Sequence, residues 1–188
     1  RKSLGVPVDR KLVLVVGGSL GARTINESIA AALDKIENEG AFVLWQTGKL
    51  YDEECQAIAK RHPGVVKAVP FISDMALAYR AADIVVSRAG AGTISELQLI
   101  GLPVVLIPSP NVTNNHQEKN ARVLEAAGGA VVVLEKDCTP GKLYELIRSL
   151  LADEDRRREM SRKLHTMVRL DSAERICDIV EQLTQSEK

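Results

Sequence analysis

The sequence has few cysteines and no excess of either charge. Only three of its 188 residues are cysteine, and Cys55, Cys138 and Cys177 do not have the spacing of metal ligands. We therefore expect reduced thiols that pack as small hydrophobic residues, not a disulfide framework. The 25 basic and 25 acidic side chains cancel, so the chain lacks the basic surplus that is typical of nucleic-acid-binding proteins.

Long apolar runs and a leader segment are also missing. No stretch approaches the roughly 18 apolar residues that a membrane-spanning helix needs, and no signal peptide precedes the first predicted strand. The sequence opens at Arg1 without a methionine. We expect it to be a single domain, 1–188, excised from a longer protein, with about residues 1–10 left from a linker.

Six short runs rich in Val, Leu and Ile alternate with segments of helical periodicity. Such runs are typical of strands buried on both faces, and the alternation predicts an α/β fold with a Rossmann-like, doubly wound parallel sheet of about six strands. The predicted strands are Lys11–Val16, Ala41–Gln46, Val65–Val69, Asp83–Ser87, Pro103–Ile107 and Ala130–Leu134. The predicted helices are Ala22–Glu39, Tyr51–His62, Asp74–Ala82, Thr93–Ile100 and His116–Ala127. Residues 153–188 form a predicted C-terminal helical extension, with breaks near Asp153 and Asp171.

The loop after the first strand, Gly17–Ala22, is the first candidate site, because ligands of such sheets bind outside the carboxyl ends of the strands. Its glycines allow close backbone approach, and the following helix start suits an anion. The spacing differs from the dinucleotide fingerprint, and the second strand ends at Gln46 without a carboxylate for a ribose. Thr47-Gly48-Lys49 lacks the upstream glycine of a Walker loop. A turn that serves packing alone remains an alternative.

The loop Ser87–Glu96 after the fourth strand is the second candidate. Its two glycines and two alanines leave backbone amides uncovered at a predicted helix start, where Thr93 can cap the helix or donate to a phosphate. Glu96 is predicted in the first helical turn, and its carboxylate can accept hydrogen bonds from a vicinal diol. The alternative is a capping box formed by Thr93 and Glu96.

The third candidate is the amide-rich loop that begins at Pro108 and enters a predicted helix. His116, Gln117 and Asn120 lie close together on that helix. Neutral donors and acceptors of this type recognise hydroxyl groups. For His116, a helix cap or an ordinary surface position is the alternative.

Five segments stand out in order along the chain: Val15–Ala22, Phe71–Met75, Ser87–Glu96, Gly101–Pro103 and His116–Ala121. Together they resemble the C-terminal domain of the MurG family. That family adds N-acetylglucosamine from UDP-N-acetylglucosamine to undecaprenyl-diphospho-N-acetylmuramoyl-pentapeptide (lipid I), which makes lipid II for peptidoglycan synthesis. The resemblance covers nearly the whole chain and implies the donor-binding half of a GT-B glycosyltransferase, with an N-terminal acceptor domain outside this chain.

The resemblance also implies a site for each part of UDP-N-acetylglucosamine. The Ile72 backbone would bind uracil, Glu96 the ribose, the two glycine-containing loops the diphosphate and the 116–120 helix the sugar. Some family members carry glutamine at the position of His116. The implied substrate-binding residues are Gly18, Ser19, Phe71, Ile72, Met75, Ala91, Gly92, Thr93, Glu96, His116, Gln117 and Asn120.

The implied reaction inverts the anomeric centre and needs neither a cofactor nor a metal. We interpret the Asp-x-Asp at Asp153 as the start of a helix and expect no metal site. The catalytic base is unidentified and expected in the acceptor domain, so the fragment alone should bind the donor weakly and transfer nothing. The implied location is peripheral, on the cytoplasmic face of the bacterial inner membrane, with no nucleic-acid partner.

Three alternatives are open at this point. They are the donor domain of another GT-B transferase that uses a UDP-sugar, a non-catalytic nucleotide-binding module, and an NAD-binding domain. The first loop and the missing acidic residue disfavour the NAD alternative.

Overall fold

Six strands form one parallel sheet in the computed structural model, which describes residues 1–186. The strand order is β3-β2-β1-β4-β5-β6, and each strand lies within two residues of its predicted bounds. The strands are β1 (Leu12–Val16), β2 (Phe42–Gln46), β3 (Val66–Val69), β4 (Ile84–Ser87), β5 (Val104–Leu106) and β6 (Ala130–Val132).

Helices connect the strands and follow the last one. They are α1 (Arg23–Ala30), α2 (Leu33–Asn38), α3 (Asp52–Ala59), α4 (Met75–Ala81), α5 (Ala91–Ile100), α6 (His116–Ala126), α7 (Pro140–Ala152), α8 (Glu154–Thr166) and α9 (Ser172–Ser186). The single helix predicted over Ala22–Glu39 is wrong. The Ala32 N–H donates to the Ile29 carbonyl, three residues back, at 2.9 Å, and this 3₁₀-type bond separates α1 from α2.

Alternating side chains of each strand enter two separate cores, one on each face of the sheet. In β1, Val13 and Val15 pack with α1, α2, α3 and α7, whereas Leu12 and Leu14 pack with α4, α5 and α6. Both faces of the sheet are therefore covered, which explains its nearly continuous apolar strands. The predicted doubly wound, Rossmann-like fold is confirmed.

The C-terminal helices have the predicted breaks. Asp153 ends α7, and its carboxylate accepts from the Arg156 N–H at 2.8 Å to begin α8. This confirms that the Asp-x-Asp segment is a helix start. The last helix, α9, exposes a stripe of apolar side chains, Ile176, Ile179, Val180 and Leu183. None of the helices in the described part of the chain has the length and apolarity to cross a bilayer.

The strand order fixes where a ligand can bind. β1 pairs with β2 on one side and with β4 on the other. The chain proceeds from β1 to β3 toward one edge of the sheet and then from β4 to β6 toward the other, so the strand order reverses between β1 and β4. In sheets of this kind the ligand-binding crevice lies at the switch point, outside the carboxyl ends of the strands. The loop Gly17–Ala22 follows β1 and the loop after Ser87 follows β4, so the first two candidate loops flank that position.

Candidate functional site

Helices α1 and α5 begin at the switch point, after the neighbouring strands β1 and β4. We call both helix starts open, because each lacks a capping side chain and an acidic residue. Neither N-cap residue, Ala22 or Gly90, makes a side-chain capping bond, and neither first turn carries an acidic residue. Among the α-helices described for residues 1–186, these two alone lack both features. Side chains cap α4, α7 and α8, whereas α2, α3, α6 and α9 carry acidic residues in the first turn.

The loop before α1 is held tightly against the loop after β2. Gly18 and Gly21 have φ of 83° and 91°, which side chains rarely tolerate. A Cβ on Gly21 would collide with the Thr47 carbonyl and the Tyr51 ring. The exposed Ser19 is anchored through its carbonyl, which accepts from the Lys49 N–H at 3.1 Å. The glycines thus build a turn that leaves Ser19 exposed shortly before the start of α1.

The start of α5 leaves three backbone N–H groups for a ligand. The first helical bond joins the Ile94 N–H to the Gly90 carbonyl at 3.0 Å, so the N–H groups of Ala91, Gly92 and Thr93 precede it. Ala91 and Gly92 are exposed. Because the helix begins at Ala91 and not at Thr93, the capping-box alternative is wrong.

The same shift moves Glu96 into the second turn of α5, so its predicted place in the first turn is also wrong. Glu96 is exposed, and its Oε2 accepts from the buried Tyr79 hydroxyl of α4 at 3.0 Å. Glu96 also borders a cavity of about 610 Å³ between α5, α6 and residues 167–170. The carboxylate is thus fixed on one side and open on the other.

Gln117 and Asn120 of α6 hold the turn between β4 and α5. The Gln117 Oε1 accepts from the Ala89 N–H at 3.2 Å and from the Ser109 N–H at 2.9 Å. The Asn120 Nδ2 donates to the Ala89 carbonyl at 3.2 Å. Side chains of α6 therefore bind both the backbone N–H and the backbone carbonyl of Ala89, a fully buried residue. The two amides predicted for sugar binding have a positioning role that their sequence pattern did not reveal.

His116 lies beside them but is oriented by its own loop. Its Nδ1 is 2.9 Å from the Thr113 carbonyl, across a 3₁₀ turn, Thr113–Asn115, in which Asn114 and Asn115 have positive φ. His116 does not cap α6, whose N-cap residue is Asn115, so the helix-cap alternative is wrong, and the Thr113 carbonyl accounts for one ring nitrogen. The other ring nitrogen has no protein partner among the described residues, so it is available to a ligand.

The predicted uracil segment lies at the carboxyl end of β3. Ile72 is buried and Phe71 is 58% exposed, and Met75 begins α4 behind the Asp74 cap. Within the described part of the chain, neither the N–H nor the C=O of Ile72 has a hydrogen-bond partner. An exposed ring beside an unpaired peptide group can stack on and hydrogen-bond a planar base.

The comparisons with known proteins agree with this geometry. The profile of the glycosyltransferase family 28 C-terminal domain matches residues 12–178. The chain belongs to this family.

Two relatives of this family 28 domain carry the same enzyme name. The UDP-N-acetylglucosamine–N-acetylmuramyl-(pentapeptide) pyrophosphoryl-undecaprenol N-acetylglucosamine transferase of Acetivibrio thermocellus is 42% identical over 99% of this chain and 51% of its own length. The enzyme of the same name from Parabacteroides distasonis is 45% identical over 93% of this chain and 47% of its own length. The chain thus spans about half the length of the curated relatives it matches.

A solved structure supports the same assignment. The crystal structure of Acinetobacter baumannii MurG superposes with a TM-score of 0.83 at 30% identity, over 96% of this chain and 52% of that chain. The resemblance to the MurG family and the predicted GT-B half are therefore confirmed.

The family 28 domain has a charged cluster at the switch point that sequence reasoning missed. Arg88, after β4, pairs with Glu135, after β6, at 2.9 and 3.1 Å, and Thr24 of α1 donates to the same carboxylate at 2.6 Å. Burial raises the pKa of Glu135, but the hydrogen bonds from Arg88 and Thr24 and the Arg88 charge outweigh it and lower the pKa overall. The position of Glu135 after a strand was an available signal, but its partner is 47 residues away.

The end of β2 in the family 28 domain differs from that of dinucleotide-binding folds. Gln46 is 3% exposed, and its buried Oε1 has no partner among the described residues. The residue that ends β2 is thus an amide and not the carboxylate of the dinucleotide fingerprint, which weakens the NAD alternative.

Potential metal ligands in the family 28 domain lie at the opposite edge of the sheet. Donor atoms of Asp34, Glu37 and His62 lie within 4.8 Å of one another, and the Asp34–His62 contact is 3.2 Å. These residues come before β2 and β3, at the amino ends of the strands. They form no part of the switch-point site.

Proposed function

We propose that this chain binds UDP-N-acetylglucosamine across its switch point, with the diphosphate at the starts of α1 and α5. The observation that carries the proposal is that these two alone, of the α-helices within residues 1–186, begin with neither a side-chain cap nor an acidic residue. Free N–H groups and the positive ends of two helix dipoles converge on the crevice. Ser19, Gly92 and Thr93 would contact the phosphate oxygens, with Gly18 and Ala91 allowing close approach.

The nucleoside would lie toward α4. The unpaired peptide groups of Ile72 match the neighbouring donor and acceptor of a uracil edge, with Phe71 and Met75 against its ring. The exposed Glu96 carboxylate would accept from both ribose hydroxyls, because an ionised carboxylate is purely an acceptor.

The sugar would lie toward β5 and β6. A cavity of about 570 Å³ opens there, lined by Pro108, Ser109, Pro110 and Leu134 among others. Both bonds to the Gln117 Oε1 come from backbone amides, so Gln117 would meet a sugar hydroxyl as a donor through Nε2. His116 and Asn120 would complete the contacts to the sugar hydroxyls.

In the longer protein, the donor would meet lipid I held by a second, N-terminal domain. The names of the relatives state this transfer for those enzymes. The missing half would supply the catalytic base and a partner surface for α9, whose exposed Ile176, Ile179, Val180 and Leu183 form an apolar stripe. A lipid-linked acceptor places the whole enzyme peripherally at the cytoplasmic face of the inner membrane.

Calorimetric titration of this chain tests the proposal directly. We expect UDP and UDP-N-acetylglucosamine to bind, NADH to bind more weakly than UDP, and UDP-glucose and UDP-N-acetylgalactosamine to bind more weakly than UDP-N-acetylglucosamine. Equal affinities for the three sugar nucleotides would remove the sugar assignment. NADH binding tighter than UDP would restore the NAD alternative.

A further inference from the structure

Tyr79 is a buried residue whose polar atom reaches the candidate site. Its side chain lies in the core between the sheet and α4, with 2% of the residue exposed. The hydroxyl has one hydrogen-bond partner among the described residues, the Glu96 Oε2 at 3.0 Å. Burial, with the charge and the hydrogen bond of Glu96, raises the pKa of Tyr79 well above its ordinary value. The phenol therefore remains a donor throughout the neutral range.

Glu96 needs such a donor because the Tyr79 hydroxyl makes its one described side-chain hydrogen bond. None of the described ion pairs includes Glu96, and an exposed glutamate otherwise samples several rotamers. Fixing a free side chain on binding lowers the affinity by about three- to tenfold. A neutral phenol fixes one oxygen without cancelling the charge, whereas an arginine would occupy both oxygens. Oε1 and the remaining lone pair of Oε2 stay available to hydroxyl groups.

The bond also joins two parts of the site. Tyr79 lies on α4, one turn beyond Met75, and Glu96 lies on α5, whose first residues offer the free N–H groups. We propose that Tyr79 is a positioning residue that orients the Glu96 carboxylate to accept both hydroxyls of a vicinal diol. This rests on the proposed function, in which that diol is the ribose of UDP.

Titrations with UDP and 2′,3′-dideoxy-UDP test the inference, because the two ligands differ only in the diol. We expect the wild-type chain to prefer UDP. Tyr79→Phe should weaken UDP binding by about three- to tenfold, the cost of fixing one side chain, and should leave dideoxy-UDP binding unchanged. In a Glu96→Ala background, Tyr79→Phe should change neither affinity.

Tyr144→Phe is a matched control. The Tyr144 hydroxyl donates to the Glu39 Oε1 at 2.6 Å, between α7 and the end of α2, on the other face of the sheet. Its loss removes a bond of the same chemical type and should leave both affinities unchanged. Thermal melts of each variant separate a binding effect from loss of folding.

The outcomes are distinct for the inference and for the function on which it rests. If the wild-type chain does not bind UDP, the proposed function fails. If UDP binds with a diol preference that Tyr79→Phe does not reduce, or if Tyr79→Phe weakens both ligands equally, Tyr79 does not position Glu96. If UDP and dideoxy-UDP bind the wild type equally, Glu96 does not contact the ribose and the inference is overturned.

Discussion

The helix starts at the switch point and those of α7 and α8 are built in opposite ways. The Thr139 hydroxyl caps α7 and the Asp153 carboxylate caps α8. The buried Arg157 guanidinium donates to the Leu150 and Leu151 carbonyls at the end of α7. At the switch point, the N-cap residues of α1 and α5 are Ala22 and Gly90, and neither makes a side-chain capping bond. One region satisfies its own backbone, and the other leaves donors for a ligand.

This difference shows how a fold can mark its binding site. A side-chain cap contributes about 1 kcal/mol, and omitting it leaves backbone donors that only water or a ligand can satisfy. The omission occurs at the two α-helices that follow β1 and β4, the strands on either side of the switch point. The remaining α-helices of residues 1–186 have a cap or an acidic first turn, so low capping propensity of the chain as a whole does not explain it.

The largest effect should follow from closing an open start. Gly90 has φ of −66° and ψ of 148°, which suit any N-cap residue, and a Cβ there meets no atom closer than 4.0 Å. Gly90→Asp should stabilise α5 by up to about 1 kcal/mol. It should weaken UDP binding by about 100-fold or more, because a carboxylate next to a phosphate costs several kcal/mol. Calorimetry and urea unfolding measure the two effects.

Gly90→Ala is the control for that variant, since it adds the Cβ without the charge. We expect its UDP affinity to stay within a few-fold of wild type. If Gly90→Asp binds UDP as tightly as Gly90→Ala does, the open start of α5 does not receive the phosphate. The comparison between open and capped helices would then have no functional meaning.

A smaller effect should follow from removing the carboxylate that holds Arg88. Glu135→Gln should destabilise the chain by about 1–2 kcal/mol at pH 7, because a partly buried guanidinium loses its counter-charge. The folded-state pKa of Glu135 is lowered from 4.5, so its stabilisation is complete above pH 4.5 and is lost as the pH falls through the lower, folded-state value. Urea unfolding between pH 7 and pH 3 should show the two proteins converging.

A stability difference that stays constant down to pH 3 would mean that the Glu135 charge does not stabilise the fold. Glu145→Gln is the matched control, since its pair with Arg148 is exposed on one helix. We expect that substitution to leave the free energy of unfolding unchanged, because solvent screens exposed pairs.

Most of the fold followed from sequence because its strands are short, apolar and regularly spaced. All six were found, since strands buried on both faces need continuous apolar residues. The break between α1 and α2 was missed because Ala31 and Ala32 favour helix and carry no breaking signal. The start of α5 was placed two residues late because Thr93 and Glu96 match a capping box. The actual N-cap residue is Gly90, which has no side chain to bond the first backbone N–H groups of the helix.

The loops that form the site were predicted well, whereas the roles of individual residues within it were predicted less well. Gln117 and Asn120 were assigned to the sugar, but their bonds to Ala89 depend on how α6 packs against the β4 loop. Arg88 and Glu135 are joined by strand order, and Tyr79 reaches Glu96 through helix packing. Sequence spacing carries no information on such contacts between elements. The ligand assignments of the individual residues remain predictions until binding is measured.

The smallest effect should follow from removing the side-chain cap of α7, one of the capped helices in this comparison. Thr139→Ala removes the hydroxyl that accepts from the Lys142 N–H at 3.2 Å, and it should destabilise the chain by about 1 kcal/mol. UDP affinity should not change, because the Thr139 hydroxyl bonds within its own helix and α7 contacts α1 through the buried core. Thr139→Ser keeps a capping hydroxyl and should retain most of the stability. A loss of UDP affinity in Thr139→Ala, absent in Thr139→Ser, would show that capped and open helix starts are coupled and not separate parts of the fold.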